Sequence, residues 1–184
     1  MAVVSTPGLT AIRDPLRARE ALLEDALRAV PLVERFAGPI IDVGSGGGSP
    51  GIPLASTLPA REVTLLDAER RKCDFLHGWA PPNAEVVWGR AEEQEPERWG
   101  LALAKALAQP PVAAEWCLPL VRVGGAAILW VGPTADLERL AVVSQRLGGG
   151  SPEEHDGLVV LEKLAPTPAG FPRRVGVAKK RPLA

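Results

Sequence analysis

Short apolar runs alternate along this chain with longer stretches in which apolar residues recur every three or four positions. From Leu16 to Val33 the positions Leu22, Leu23, Ala26, Leu27, Val30 and Val33 mark one face of an amphipathic helix, which Pro31 is expected to shorten or bend. The runs Ile40–Val43, Val63–Asp67, Glu85–Trp88, Leu101–Leu107, Ala126–Val131 and Leu158–Leu164 have the length and β-branched content of strands. Between them, helical spacing covers Ile52–Leu58, Glu69–Trp79, Val112–Leu120 and Ala135–Leu147. Strands that alternate with helices imply an α/β, doubly wound, mostly parallel sheet covered on both faces, with ligands at the carboxyl ends of the strands. The stretch 148–157, rich in glycine and acid, interrupts the pattern where a final hairpin would start, so an edge strand there is expected to be short or absent.

Candidate chemistry follows the first strand. Asp42-Val43-Gly44-Ser45-Gly46-Gly47-Gly48-Ser49-Pro50-Gly51 is a strand-to-helix turn whose glycines let backbone pass close to a ligand. Gly46, Gly48 and Gly51 also satisfy the G-x-G-x-x-G spacing of dinucleotide sites, so a nicotinamide dehydrogenase is a competing reading. Asp42 weighs against it, because a carboxylate in step with the glycines suits a ligand bearing an ammonium, as S-adenosylmethionine does, and repels a pyrophosphate. Asp67, at the end of the second run, is placed to accept both hydroxyls of a ribose, with Ala68 and Glu69 beside it. Gly89-Arg90-Ala91-Glu92, after the third run, forms a polar loop able to line an adenine edge.

Composition narrows the class. The 184 residues suffice for a single core, and the chain divides into a helical lead-in (1–38), the sheet region and a basic tail (164–184). No apolar run reaches membrane-spanning length and residues 1–10 lack the pattern of a signal peptide, which points to a cytoplasmic protein, taken as a monomer. Cys73 and Cys117 fall within helical patterns as buried thiols, and His77 and His155 stand apart from other ligand types, so no metal site is expected. The net charge of −1 is unevenly spread: Arg173, Arg174, Lys179, Lys180 and Arg181 give the tail +5 with no acid, leaving −6 on the rest. A basic tail on an acidic body suggests contact with phosphate.

Taken together, Gly8–Pro15 (GLTAIRDP), the loop Asp42–Leu54, Leu66-Asp67-Ala68 with Arg70-Arg71-Lys72, Gly89–Glu93 and Leu158–Leu183 resemble the bacterial small-subunit ribosomal RNA methyltransferase G family, also called glucose-inhibited division protein B. The resemblance implies a Rossmann-like S-adenosylmethionine-dependent methyltransferase acting at guanine N7 of 16S ribosomal RNA, either naked or within a ribosomal particle. It implies a cofactor site of Asp42, Gly44, Ser45, Gly46, Gly48, Ser49, Asp67, Ala68, Glu69, Ala91 and Glu92, with Lys105 where the family usually has an arginine. It also implies RNA contacts from Arg173, Arg174, Lys179, Lys180 and Arg181. The chain departs from the family pattern in a short N-terminal helical extension, in Ala21-Leu22 where an Arg-His pair is usual, and in Val131 where a lysine is usual. These departures keep two alternatives in view: a methyltransferase for another RNA or a small molecule, and a cofactor-binding RNA-associated protein with little transfer activity. No residue is singled out as a catalytic acid or base, since guanine N7 carries an in-plane lone pair and attacks without losing a proton.

Overall fold

Seven strands pair into one sheet: β1 (Ile40–Val43), β2 (Val63–Asp67), β3 (Ala84–Trp88), β4 (Trp99–Lys105), β5 (Val121–Trp130), β6 (Glu153–His155) and β7 (Leu158–Glu162). The computed structural model describes residues 2–184. Strand order is β3-β2-β1-β4-β5-β7-β6, with β7 antiparallel to both β5 and β6 and every other pairing parallel. The order reverses between β1 and β4, the place where loops diverge and leave a crevice at the strand ends. The edge strand expected to be short or absent is β6, three exposed residues long.

Period-two alternation assigns each strand residue to one of two cores. Ile41, Val43, Leu66, Ala102, Ala104 and Leu129 pack beneath α7 (Pro110–Cys117) and α8 (Leu137–Arg146). Ile40, Val63, Leu65, Leu101, Leu103 and Ile128 pack on the other face with Leu54 of α5 (Gly51–Thr57) and Leu76 of α6 (Arg70–His77). All four residues of β1 and all five of β2 are buried, which explains why these strands read as continuous apolar runs. Among the described residues no helix is long and apolar enough to cross a membrane.

Several boundaries differ from the sequence reading. The fourth strand begins at Trp99 rather than Leu101 and ends at Lys105, because Ala106 adopts a positive φ of 53° that turns the chain. The fifth extends back to Val121 and stops at Trp130. The expected helix over 16–33 is broken into α2 (Pro15–Arg19), a π-helical turn (Glu20–Glu24), α3 (Asp25–Leu27) and α4 (Val30–Val33), with α1 (Ala2–Ser5) before them. Pro31 opens α4, where its missing N–H is harmless. Side chains from the strand ends take carbonyls of the broken stretch: Ser49 Oγ donates to Leu22 O (2.7 Å), Trp130 Nε1 to Asp25 O (3.2 Å) and Lys105 Nζ to Ala21 O.

The C-terminal segment lies against the body. Fully buried Lys163 donates to Leu118 O (3.0 Å), Leu147 O (2.9 Å) and Thr167 Oγ1 (2.8 Å), and burial pushes its ammonium down to about 8. Further along, Arg173 grips Glu115 of α7, Gly176 N–H donates to Glu92 Oε1 (3.0 Å), and α9 (Val177–Lys180) follows.

Candidate functional site

The glycine turn joins β1 to α5 at the carboxyl edge of the sheet. Gly44 takes φ 76°, and a Cβ there would stand 2.4 Å from Leu107 Cδ1, so this position needs glycine for conformation and for space. Gly44 N–H and Ser45 N–H both donate to Leu66 O at 2.8 and 3.0 Å, fastening the turn to β2. Gly51 opens α5 directly against Asp42, where a Cβ would fall 2.6 Å from the carboxylate.

Asp67 straps the two loops together. Its Oδ2 accepts Gly46 N–H at 2.9 Å and its Oδ1 accepts Glu69 N–H at 2.8 Å. A cleft of about 90 Å³ opens beside it, lined by Gly44, Asp67, Ala68, Ala91 and Glu92, together with Arg90, Leu107 and Trp116. Five of the expected cofactor residues, from three separate loops, are thereby brought to one place at the reversal of strand order. Sequence reading missed Leu107 and Trp116 as lining residues. Leu107 was assigned to the strand, and only the turn at Ala106 swings it over Gly44; Trp116 carried no signal beyond its place in the following helix.

The remaining expected residues sit elsewhere. Asp42 and Ser45 are buried behind the turn, with Ser45 Oγ donating to Asp42 O (3.0 Å). Gly46 is taken by Asp67, while Gly48 and Ser49 line an apolar groove on the far side of the turn, with Ile52, Phe75 and Trp79. Glu69 is exposed and paired with Lys72 (2.7 Å). Lys105 does not line the cleft: its Nζ reaches the Asp25 carboxylate at 2.5 Å and lies 6.0 Å over the Trp130 ring. Burial alone would raise the Asp25 carboxyl, but its hydrogen bonds and charge contacts with Lys105 and Arg28 prevail and hold it below the ordinary carboxylate range. Lys105 thus ties the end of β4 to the N-terminal helices.

The basic tail divides too. Arg173 forms a two-pronged pair with Glu115, a side chain only 3% exposed, and also donates to Arg181 O (2.8 Å). The guanidinium is therefore committed to the fold. Arg174, Lys179, Lys180 and Arg181 are exposed, and no carboxylate lies within ion-pair distance of them among the described residues. Among those residues no group of three or more His, Cys, Asp or Glu is placed to hold a metal.

Asp42 has the most displaced acidity of the site. Burial pushes its carboxyl from 3.8 to about 7, only partly offset by the Gly51 N–H bond (3.0 Å) and the charge of Lys105, while Oδ1 has no partner. The folded state therefore holds a proton that the unfolded chain has released between pH 4 and 7, and stability falls as pH rises through that window. Asp42→Asn keeps the acceptor for Gly51 and is expected to flatten this decline. Melting curves of both proteins from pH 4 to 8 check it, and parallel curves would show that Asp42 does not titrate there.

The model of the family described as rRNA small subunit methyltransferase G matches residues 4–145. The chain belongs to this family. A ribosomal RNA small subunit methyltransferase G from a Synechococcus species is 38% identical over 211 residues, covering 100% of this chain and 81% of the relative. The methyltransferase G of Rubrobacter xylanophilus is 38% identical over 201 residues, covering 96% of this chain and 74% of its own. In fold, the chain is similar to the T. thermophilus 16S rRNA N2 methyltransferase solved with AdoMet and guanosine (TM-score 0.62, 21% identity, 89% of this chain and 42% of the other). Against the methyltransferase G pattern, Ala21 and Leu22 serve through their carbonyls, and Val131 packs on the core beneath α7 and α8.

Proposed function

We propose that this protein transfers the methyl group of S-adenosylmethionine to guanine N7 in small-subunit (16S) ribosomal RNA, acting as a cytoplasmic monomer. The observation that carries the reading is the cleft in which Gly44, Asp67, Ala68, Ala91 and Glu92 meet, in a chain of the methyltransferase G family. The donor set fits an adenosine: Asp67 supplies acceptors for ribose hydroxyls, and the 91–92 turn offers backbone and carboxylate to the base. Asp42 Oδ1, buried without a partner behind the glycine turn, favours a ligand that brings positive charge near the turn.

The cofactor supplies an electrophilic methyl on a sulfonium. The protein's work is to bind, orient and exclude water, since the N7 lone pair attacks without deprotonation and positioning carries most of the rate. Gly44 lets the backbone approach, and Asp67, through Gly46 N–H, holds the turn in register with β2. Arg174, Lys179, Lys180 and Arg181 are exposed on the segment that Gly176 ties to Glu92 of the cleft, and they suit the phosphates of the RNA.

Methyl-labelled S-adenosylmethionine incubated with small ribosomal subunits from cells lacking this modification is expected to label a single guanine, detected by strand cleavage at N7-methylguanine. A protein that binds S-adenosylhomocysteine yet labels no ribosomal RNA would overturn the substrate assignment. Displacement of the bound nucleoside by a nicotinamide dinucleotide would overturn the cofactor.

A further inference from the structure

The segment Gly8–Pro15 plays no part in the cleft, yet the fold fixes it over the glycine turn. Arg71 of α6 donates to Pro7 O, and Leu9 and Val3 crowd Gly47 closely enough that a Cβ there would clash with Val3. From this strap the chain runs into α2 and forms an open concavity of about 910 Å³, lined by Arg13, Asp14, Arg17, Glu20 and Ala21. Ala21 O accepts Lys105 Nζ at the end of β4, so the concavity starts at the strand ends that also carry the cleft.

Its two arginines have no charge partner. Arg13 and Arg17 are exposed and, among the described residues, no carboxylate lies within ion-pair distance of either, whereas Arg19, Arg28 and Arg35 of the same helical region are paired with Glu24, Asp25 and Glu153. Asp14, the nearest acid, spends its carboxylate on capping α2, accepting Leu16 N–H (2.8 Å) and Arg17 N–H (2.9 Å). Glu20 remains as an acceptor, suited to a ribose 2′-hydroxyl. Two unpaired guanidiniums carried by a fixed strap on one open concavity are an arrangement suited to backbone phosphate.

We propose that Arg13 and Arg17 clasp backbone phosphates of the RNA strand next to the target nucleotide, forming a second RNA-contact surface separate from the C-terminal segment. The proposal rests on ribosomal RNA being the substrate. Both side chains are exposed and, among the described residues, neither makes a hydrogen bond within the protein, so replacing both is expected to leave the fold and the cleft intact.

The test compares wild type with Arg13→Ala/Arg17→Ala in methyl transfer to unmodified small ribosomal subunits across about 50–200 mM salt. The KM for subunits is expected to rise at least tenfold, and the logarithmic salt slope to drop by about 1.4, near 0.7 for each single-strand phosphate released. Affinity for S-adenosylhomocysteine is expected to stay within twofold. Arg13→Lys/Arg17→Lys should restore the salt slope but only part of the KM, since the planar fork is lost. An unchanged KM and slope, with wild type turning over normally, would overturn this surface alone. Equal losses in subunit and S-adenosylhomocysteine binding would overturn it by showing a structural role. Absence of wild-type transfer or binding to subunits would instead overturn the ribosomal RNA reading on which it rests.

Discussion

Asp67→Ala is expected to weaken binding of S-adenosylhomocysteine by roughly 5- to 150-fold, corresponding to about 1–3 kcal/mol. The carboxylate is 6% exposed and is shared between the fold and the cleft. Its removal leaves Gly46 N–H and Glu69 N–H without acceptors and removes the acceptors proposed for a ribose, so the turn loosens where it must be held. Asp67→Asn keeps one oxygen and should fall between the two. Calorimetric titration with S-adenosylhomocysteine, alongside thermal melting of each ligand-free protein, separates the contributions. If Asp67→Ala lowers the melting temperature but leaves affinity untouched, the residue only staples β2 to the glycine turn.

Arg173→Ala should cost about 3 kcal/mol of folding stability, at the lower end of the range for breaking a buried ion pair. Glu115 is 3% exposed and is met by Arg173 on both oxygens, so truncating the arginine strands a carboxylate inside the protein. Arg173 itself is 22% exposed, which admits some water and argues against the upper end of that range. Adding Glu115→Gln to Arg173→Ala should recover part of the loss, because the uncompensated charge goes with it. Arg174→Ala, one residue along and exposed, should stay within about 0.5 kcal/mol of wild type. Urea denaturation of the four proteins measures these differences. Equal stabilities for the two arginine variants would return Arg173 to the surface role first expected of it.

Those two cases differ in how far sequence reaches. Asp67 was legible because local pattern places it: a β-branched run ends there, one strand after a glycine turn, and any sheet of this order brings the ends of β1 and β2 together. Arg173 reads in sequence as a cation free to meet RNA because nothing near it is acidic, while its partner lies 58 positions away on α7. The partner of Lys105 was hidden for the same reason, Asp25 lying far earlier in the chain.

The sequence alone determined the alternation of strands and helices, the glycine turn, Asp67 and the charge asymmetry of the tail, since each rests on local backbone preference or on periodic burial against a core. Tertiary structure alone decided which cations are consumed by the fold and which face solvent. It also decided that Ala106 turns Leu107 over Gly44, that the N-terminal helix breaks where Ser49, Lys105 and Trp130 capture its carbonyls, and that Arg13 and Arg17 share one hollow. Such outcomes depend on which side chains meet after distant segments pack, and a buried charge or carbonyl takes the partner that arrives there, whatever its distance along the chain.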